Sequence, residues 1–177
     1  MSFPVFASGD VLNASDMNGV GLWLVKSQTI GTGVSSVVVT GAFSADYDNY
    51  LIRISGGTAS ANGGISLQLS NSSGSTYSTA GTYGNYGINS GVTYNPVATV
   101  RWTDCLVGGT TTYSGMVFLS SPFASRATTG STDATSQASF YKFSLIDTST
   151  NSSTGFTFTP LSGTLTGGTI RVYGYRN

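Results

Sequence analysis

Residues 50–55, which read YLIRIS, contain the pattern that decides the fold. Tyr50, Ile52 and Ile54 occupy every second position and alternate with Leu51, Arg53 and Ser55. Because successive side chains of a β-strand point to opposite faces, a period of two predicts a strand with one face in a core. The pattern therefore favours a sheet over a helix.

The same period of two recurs through the chain. The other candidate strands contain Leu22 to Val25, Val37 to Val39, Ile65/Leu67/Leu69, Ala98/Val100/Trp102, Val117/Leu119 against Met116/Phe118, Tyr141/Phe143/Leu145, Phe156/Phe158, and Ile170/Val172 against Arg171/Tyr173/Tyr175. Roughly eight to ten strands are typical of an all-β, antiparallel, jelly-roll-like sandwich.

Turn-forming residues separate these strands. We interpret residues 56–64, 108–109, 124–136, 148–154 and 167–168 as turn-rich segments. Adjacent glycines permit the positive φ that tight turns require. The stretch Asp46-Tyr47-Asp48-Asn49 resembles the start of a calcium loop, but its later positions lack the required Gly and Glu. We predict a turn there and keep a non-EF calcium site as the alternative.

The composition excludes several classes of function. The chain has 28 Ser, 25 Thr and 24 Gly, is 8% charged and carries no net charge. We therefore predict neither nucleic-acid binding nor a basic membrane patch. No apolar run reaches the ~18–20 residues of a membrane helix, and no signal peptide is recognisable. The single Cys105 excludes an intrachain disulfide and indicates a small buried hydrophobe in a protein assembled in a reducing compartment.

Catalytic chemistry has few candidates. The 177 residues include no histidine and no glutamate, so neither a Ser-His-Asp nor a Cys-His arrangement can form. A glycosidase using two of the seven aspartates stays open as a less favoured alternative. We predict a protein that is not an enzyme and has no cofactor and no metal site.

The aromatic residues divide into two groups. Trp23 and Trp102 lie in apolar strand patterns, which favours core packing over ligand stacking. Residues 71–95 instead set tyrosines among Ser, Thr, Gly and Asn, a composition found in recognition surfaces. We interpret this stretch as a solvated loop or subunit contact, or as a surface that contacts a receptor or glycan. Its candidate contact residues are Tyr77, Tyr83, Tyr86 and Tyr94.

Residues 1–21 differ from the rest of the chain. Polar residues of the kind that begin helices, together with scattered apolar residues, predict a short helix or turn-rich arm there, followed by a sandwich domain over residues 22–177. Residues 6–18, which read FASGDVLNASDMN, resemble the opening segment of many tailed-bacteriophage fibre and minor structural proteins, of form F-x-x-G-D-x-L-x-A-x-D-x-N. Residues 21–25, 42–50 and 168–175 are similar to small β-rich phage virion proteins.

This resemblance implies a non-enzymatic virion protein that is assembled in the host bacterial cytoplasm. The expected form is a trimeric β-sandwich knob that adheres to a host-surface glycan or protein and is attached to the tail by its N-terminal arm. The expected docking residues are Phe3, Phe6, Val11, Leu12 and Met17. The alternative is a decoration protein that clamps capsomers by contacting the major capsid protein. A tail-borne glycan hydrolase and a lectin-like module are less favoured.

Overall fold

The protein is built from β-strands. This computed structural model describes residues 8–9, 11, 21–71, 77–85, 88–99, 101–136 and 139–175. The strands are β1 (Leu22–Thr29), β2 (Val37–Val39), β3 (Asn49–Ser55), β4 (Thr58–Ala59), β5 (Gly63–Leu69), β6 (Tyr77–Asn85), β7 (Ile88–Thr99), β8 (Trp102–Gly108), β9 (Tyr113–Ser120), β10 (Thr128–Ser136), β11 (Ser139–Asp147), β12 (Phe156–Pro160), β13 (Leu165–Thr166) and β14 (Thr169–Tyr175).

Two large antiparallel sheets enclose the core. The eight-stranded sheet has the order β1-β14-β3-β9-β10-β11-β6-β7, and the four-stranded sheet has the order β2-β12-β5-β8. A small third sheet pairs β13 with β4. Every pairing is antiparallel, and apolar residues of both large sheets form one buried cluster. The predicted all-β antiparallel sandwich is confirmed.

Strand β3 shows how the alternating pattern builds this core. Tyr50, Ile52 and Ile54 are buried, whereas Arg53 between them is exposed. On the neighbouring strand β14, Ile170 lies opposite Ile54 and Val172 lies opposite Ile52. Full burial of an aliphatic or aromatic side chain of this size contributes about 1.5–3 kcal/mol. The inward faces predicted from the sequence are therefore confirmed for both strands.

Aromatic contacts join the two large sheets. The ring of Phe43 packs against Tyr50 of the eight-stranded sheet, with centroids 4.8 Å apart, and against Phe156 of the four-stranded sheet, at 5.8 Å. The indole N–H of Trp102 on β8 donates a 3.0 Å hydrogen bond to the carbonyl oxygen of Ile146 on β11. Both contacts fix the position of one sheet on the other.

The predicted core positions of Trp102 and Cys105 are confirmed, because both are fully buried. Trp23 differs: it is half-buried on the edge strand β1 and lies outside the buried cluster. The reason is its place in the sheet, since β1 has a neighbour on one side only.

Two of the four predicted glycine pairs are turns with positive φ. Gly56 and Gly57 connect β3 to β4, and Gly167 and Gly168 connect β13 to β14. The two turns face each other so closely that a Cβ atom on Gly57 would overlap the backbone of Gly167. The pairs at residues 63–64 and 108–109 have no positive φ; residues 63, 64 and 108 belong to strands β5 and β8.

Three predictions about local structure are wrong. Most of the tyrosine-rich stretch 71–95 is not a loop, because β6 and β7 form a hairpin at one edge of the eight-stranded sheet. Most of the segment 124–136 is strand β10, paired on both sides by β9 and β11. Ala98 and Trp102 do not share a strand, because β7 and β8 belong to different sheets. In the first two cases, Thr and Tyr suit a strand although they do not alternate with aliphatic residues.

The predicted turn before β3 is confirmed. Residues 45 and 46 form a turn, in which the Ser44 hydroxyl donates to the Asp46 carboxylate over 3.0 Å. The same hydroxyl oxygen accepts a bond from the Asp46 backbone N–H at 3.3 Å. This local bonding gives Asp46 a role in the turn.

Candidate functional site

The outward face of the eight-stranded sheet carries the most distinctive surface among the described residues. Residues directly opposite each other in an antiparallel pair share a face, so the strand register assigns the side chains of this face. Large hydrophobic residues are exposed on it where a solvated sheet normally carries polar ones. They are Leu22, Leu24, Met116, Phe118, Phe140 and Ile146.

One row of this face is apolar across four strands. Leu24 lies opposite Tyr173, Tyr173 opposite Leu51, and Leu51 opposite Phe118. Leu24 is 55% exposed and Phe118 is 37% exposed. Tyr175 extends the row, because its ring meets that of Phe118 edge to face with the centroids 5.7 Å apart. We call these five residues, Leu24, Leu51, Phe118, Tyr173 and Tyr175, the apolar row.

The next row of the same face is charged. Arg171 lies opposite Arg53, Arg53 opposite Met116, Met116 opposite Asp133, and Asp133 opposite Lys142. We call these five residues the charged row. It contains four of the chain's fourteen Lys, Arg, Asp and Glu residues, and this concentration on one line across five strands indicates a specialised surface.

The two ends of the charged row differ electrostatically. Lys142 and Asp133 form a solvent-exposed ion pair with nitrogen and oxygen 3.8 Å apart. Arg53 and Arg171 are neighbours of like charge, an arrangement that destabilises a sheet. Arg171 donates to the Ser55 hydroxyl over 3.2 Å, but no acidic group among the described residues pairs with either guanidinium group. This end of the row therefore carries two positive charges, of which Arg53 is exposed and Arg171 is half-buried.

A depression of about 300 Å³ lies where the two rows meet. Its floor and walls combine Phe118, Tyr175 and Met116 with the polar Asp133 and Lys142. A smaller depression of about 100 Å³ adjoins it at Met116 and Asp133 and reaches Arg53. Together they form a shallow site with an aromatic side, an ion pair and a positive end.

Among the described residues the two depressions do not bring together the pair of carboxyl groups that a glycosidase of this kind uses. Asp133 is the acidic residue that borders both depressions. Asp147 is buried elsewhere, where its carboxylate accepts bonds from the Ser149 N–H and hydroxyl, both at 2.9 Å. Among the described residues no group of three His, Cys, Asp or Glu residues could hold a metal ion.

The structure places some of the predicted contact residues. Tyr77 and Tyr83 lie on β6, and Tyr94 lies on β7, at the opposite edge of the sheet from β1. Tyr83 is opposite Tyr141 of β11, and Tyr94 is opposite Ala80 of β6. Tyr86 lies outside the described residues. A contact role for these tyrosines stays a prediction.

The predicted docking arm falls largely outside the described residues. Val11 is described and is 85% exposed. Phe3, Phe6, Leu12 and Met17 are not described, so the predicted arm or helix stays a prediction.

The sequence did not reveal the site itself, although it predicted which face of three strands carries several of the site's residues. The alternation in β3, β9 and β14 already placed Arg53, Phe118 and Arg171 opposite the core face. The sequence did not show that these three strands are neighbours. Ser131 and Asp133 of β10 were missed altogether, because that strand was interpreted as a turn.

Fold and surface together define an all-β sandwich protein with one sheet face buried and an amphipathic sheet face in solvent. Comparison of the chain with protein-family models, with curated proteins and with solved structures gives no match. Within the described residues there is no helix long and apolar enough to cross a membrane.

Proposed function

We propose that this chain is a non-enzymatic structural protein of a tailed-bacteriophage particle, a trimeric knob attached at the tail whose outward sheet face is an adhesion surface. The observation that carries the proposal is the pairing of the apolar row with the charged row on one exposed face. Exposed apolar patches with a polar rim are typical of interaction sites. The resemblance of the N-terminal segment to phage structural proteins supports the choice of a phage virion as the particle.

The composition suits this role for a physical reason. With 8% charged residues the surface depends on hydroxyls and amides for its solubility, so two adjacent arginines that have no acidic partner among the described residues stand out as a recognition feature. Within the described residues β1 and β7 are the edge strands of the eight-stranded sheet. Such edges favour assembly, because contact between copies covers backbone groups that could otherwise pair with other chains. Leu22 and Leu24 on β1 are exposed and suit such a contact.

A second candidate is a capsid decoration protein. The apolar row favours it, because a protein that clamps capsomers needs a broad contact with another protein. The adjacent Arg53 and Arg171 favour the adhesion surface instead, because they have no acidic partner among the described residues and guanidinium groups suit an anionic ligand. The two candidates place the chain on different parts of the virion.

Electron microscopy of the phage that encodes this chain tests the proposal. Gold-labelled antibody raised against the recombinant protein is expected at the tail. Label over the head would support the decoration protein and refute the tail knob, and absence of label would refute the virion role. Deletion of residues 1–20 should abolish incorporation while the isolated domain keeps its melting temperature; incorporation of the truncated protein would contradict the docking arm.

A further inference from the structure

We propose that the outward sheet face binds a saccharide that bears a carboxylate, with Arg53 and Arg171 holding the carboxylate and the Phe118 and Tyr175 rings contacting the sugar ring. The inference rests on the proposed adhesion function and names the class of ligand. Two observations on this face lead to it, the arginine pair and the aromatic depression.

The arginine pair selects an anion. Opposite residues of adjacent strands bring their Cβ atoms to about 4.5–5.5 Å, so Arg53 and Arg171 can reach one carboxylate together. A guanidinium group matches the two oxygens of a carboxylate through paired hydrogen bonds. A bound carboxylate also removes the repulsion between the two positive charges, which adds to the binding free energy.

The larger depression, which adjoins the smaller one that reaches Arg53, suits a sugar ring. Phe118 and Tyr175 offer apolar contact, while the Asp133 carboxylate accepts hydrogen bonds and the Lys142 ammonium donates them. Vicinal hydroxyl groups of a pyranose both donate and accept, so the Asp133–Lys142 pair matches them. A volume of about 300 Å³ is at the small end of ligand pockets, which limits the contact to one or two sugar units.

Three other ligands fit this face less well. Nucleic acids gain affinity from many phosphate contacts, whereas the described part of this face offers two arginines without an acidic partner and places Asp133 in the same depression as Arg53. An extended peptide adds to a sheet edge, but β14, β3, β9 and β10 are paired on both sides. Leu51 and Ser131 lie on either side of Phe118 of β9. If a second copy of the chain packed on this face about a two-fold axis along β9, Leu51 of one copy would therefore face Ser131 of the other, which is a poor match of an apolar with a polar residue.

Calorimetry with defined polysaccharides tests the inference. The probes are polygalacturonate, hyaluronan and polysialate, with dextran as the neutral control and dextran sulfate as the control for charge alone. At least one of the three carboxylated polymers should bind the full chain at physiological salt, at least about tenfold more tightly than either control.

Variants then locate the site. The double substitution R53Q/R171Q should weaken binding of that polymer about tenfold or more, because each hydrogen-bonded charge typically contributes a factor of this size. F118S should also weaken binding of the polymer, because it removes the ring that contacts the sugar. The matched control is K26Q, which removes one positive charge from strand β1 at a position opposite the buried Val172, on the other face of the sheet, and should change the affinity by less than about threefold. R53Q should keep or slightly raise the melting temperature, since it removes a like-charge neighbour.

Several outcomes would overturn the inference: no binding of any carboxylated polymer, equal binding of dextran sulfate, or an equal loss in K26Q and the double variant. An unchanged affinity in the double variant would overturn it too. If binding fails while gold label stays at the tail, the proposed function stands and the saccharide inference falls. If binding succeeds without label on the particle, the virion role falls and the saccharide site stands.

Discussion

Two buried tyrosines differ in how their hydroxyl groups are bonded, and this difference gives a sharp test of the core. The side chain of Tyr50 is 0% exposed, and its hydroxyl donates to the Ser44 carbonyl at 2.9 Å and accepts from the Ser44 N–H at 2.8 Å. The side chain of Tyr113 is 1% exposed, and no described residue provides a hydrogen-bond partner for its hydroxyl. Tyr→Phe substitutions at the two positions therefore have opposite consequences.

The expected magnitudes follow from hydrogen-bond energetics. A buried polar group without a partner costs about 1–3 kcal/mol, so Tyr113→Phe should raise the free energy of unfolding by about 1 kcal/mol. For a chain of this size that corresponds to a rise of roughly 2–4 °C in melting temperature. Tyr50→Phe leaves the Ser44 N–H and carbonyl without their partner and should lower the free energy of unfolding by about 1–3 kcal/mol.

The pH dependence gives an independent readout. Burial raises the pKa of Tyr113 to about 12, whereas the unfolded phenol ionises near its ordinary value of about 10. Between these values the folded state holds a proton that the unfolded state has lost, so stability falls as the pH rises from about 10 to about 12. The Tyr113→Phe variant has no hydroxyl to ionise at this position, so its stability does not fall for this reason. The difference in the free energy of unfolding between the variant and the wild type should therefore grow as the pH rises from about 10 to about 12.

Urea unfolding followed by tryptophan fluorescence measures these differences for the wild type and both variants, at pH 7 and again above pH 10. The m-values must agree for the comparison to hold. If Tyr113→Phe were destabilised as much as Tyr50→Phe, or if its advantage did not grow at high pH, the reasoning would be refuted. The Tyr113 hydroxyl would then have a hydrogen-bond partner.

Two further substitutions test packing elsewhere in the fold. Trp102→Phe removes the indole N–H that bonds the Ile146 carbonyl and leaves space in the core, so urea unfolding should show a loss of about 2–4 kcal/mol. Trp23→Phe is its matched control on the edge strand and should cost less than about 1 kcal/mol, because no described residue bonds its indole N–H; equal losses would contradict the inter-sheet role of Trp102. Gly174→Ala would place a methyl group onto the ring of Tyr47, and thermal unfolding should show a loss of about 1–3 kcal/mol. An unchanged melting temperature would mean that the Tyr47 ring moves aside freely.

The strand faces could be predicted because alternation is a local property. In β3 and β14 the inward positions of Ile52, Ile54, Ile170 and Val172 follow from a period of two, and all four are buried. The same reasoning placed Phe118 on the outward face. These predictions needed no knowledge of which strands are neighbours.

The missed strands are those whose stability comes from their partners. Strand β10 is rich in Thr and Ser, yet it lies between β9 and β11 and buries Thr128, Thr132 and Ala134. The hairpin of β6 and β7 is attached through β11 at an edge of the sheet. Pairing with neighbouring strands stabilises a strand of polar composition, and the residues of that one strand cannot show it.

The sequence by itself determined an all-β sandwich, the inward faces of its clearest strands and the scarcity of catalytic groups. Those conclusions depend on composition and on a period of two, which are properties of residues close together in the chain. The tertiary structure decided that β14, β3, β9, β10 and β11 lie side by side, and this order alone brings Arg171, Arg53, Met116, Asp133 and Lys142 into one row. Strand order depends on contacts between residues far apart in the sequence, so the candidate site appears only in the folded sheet.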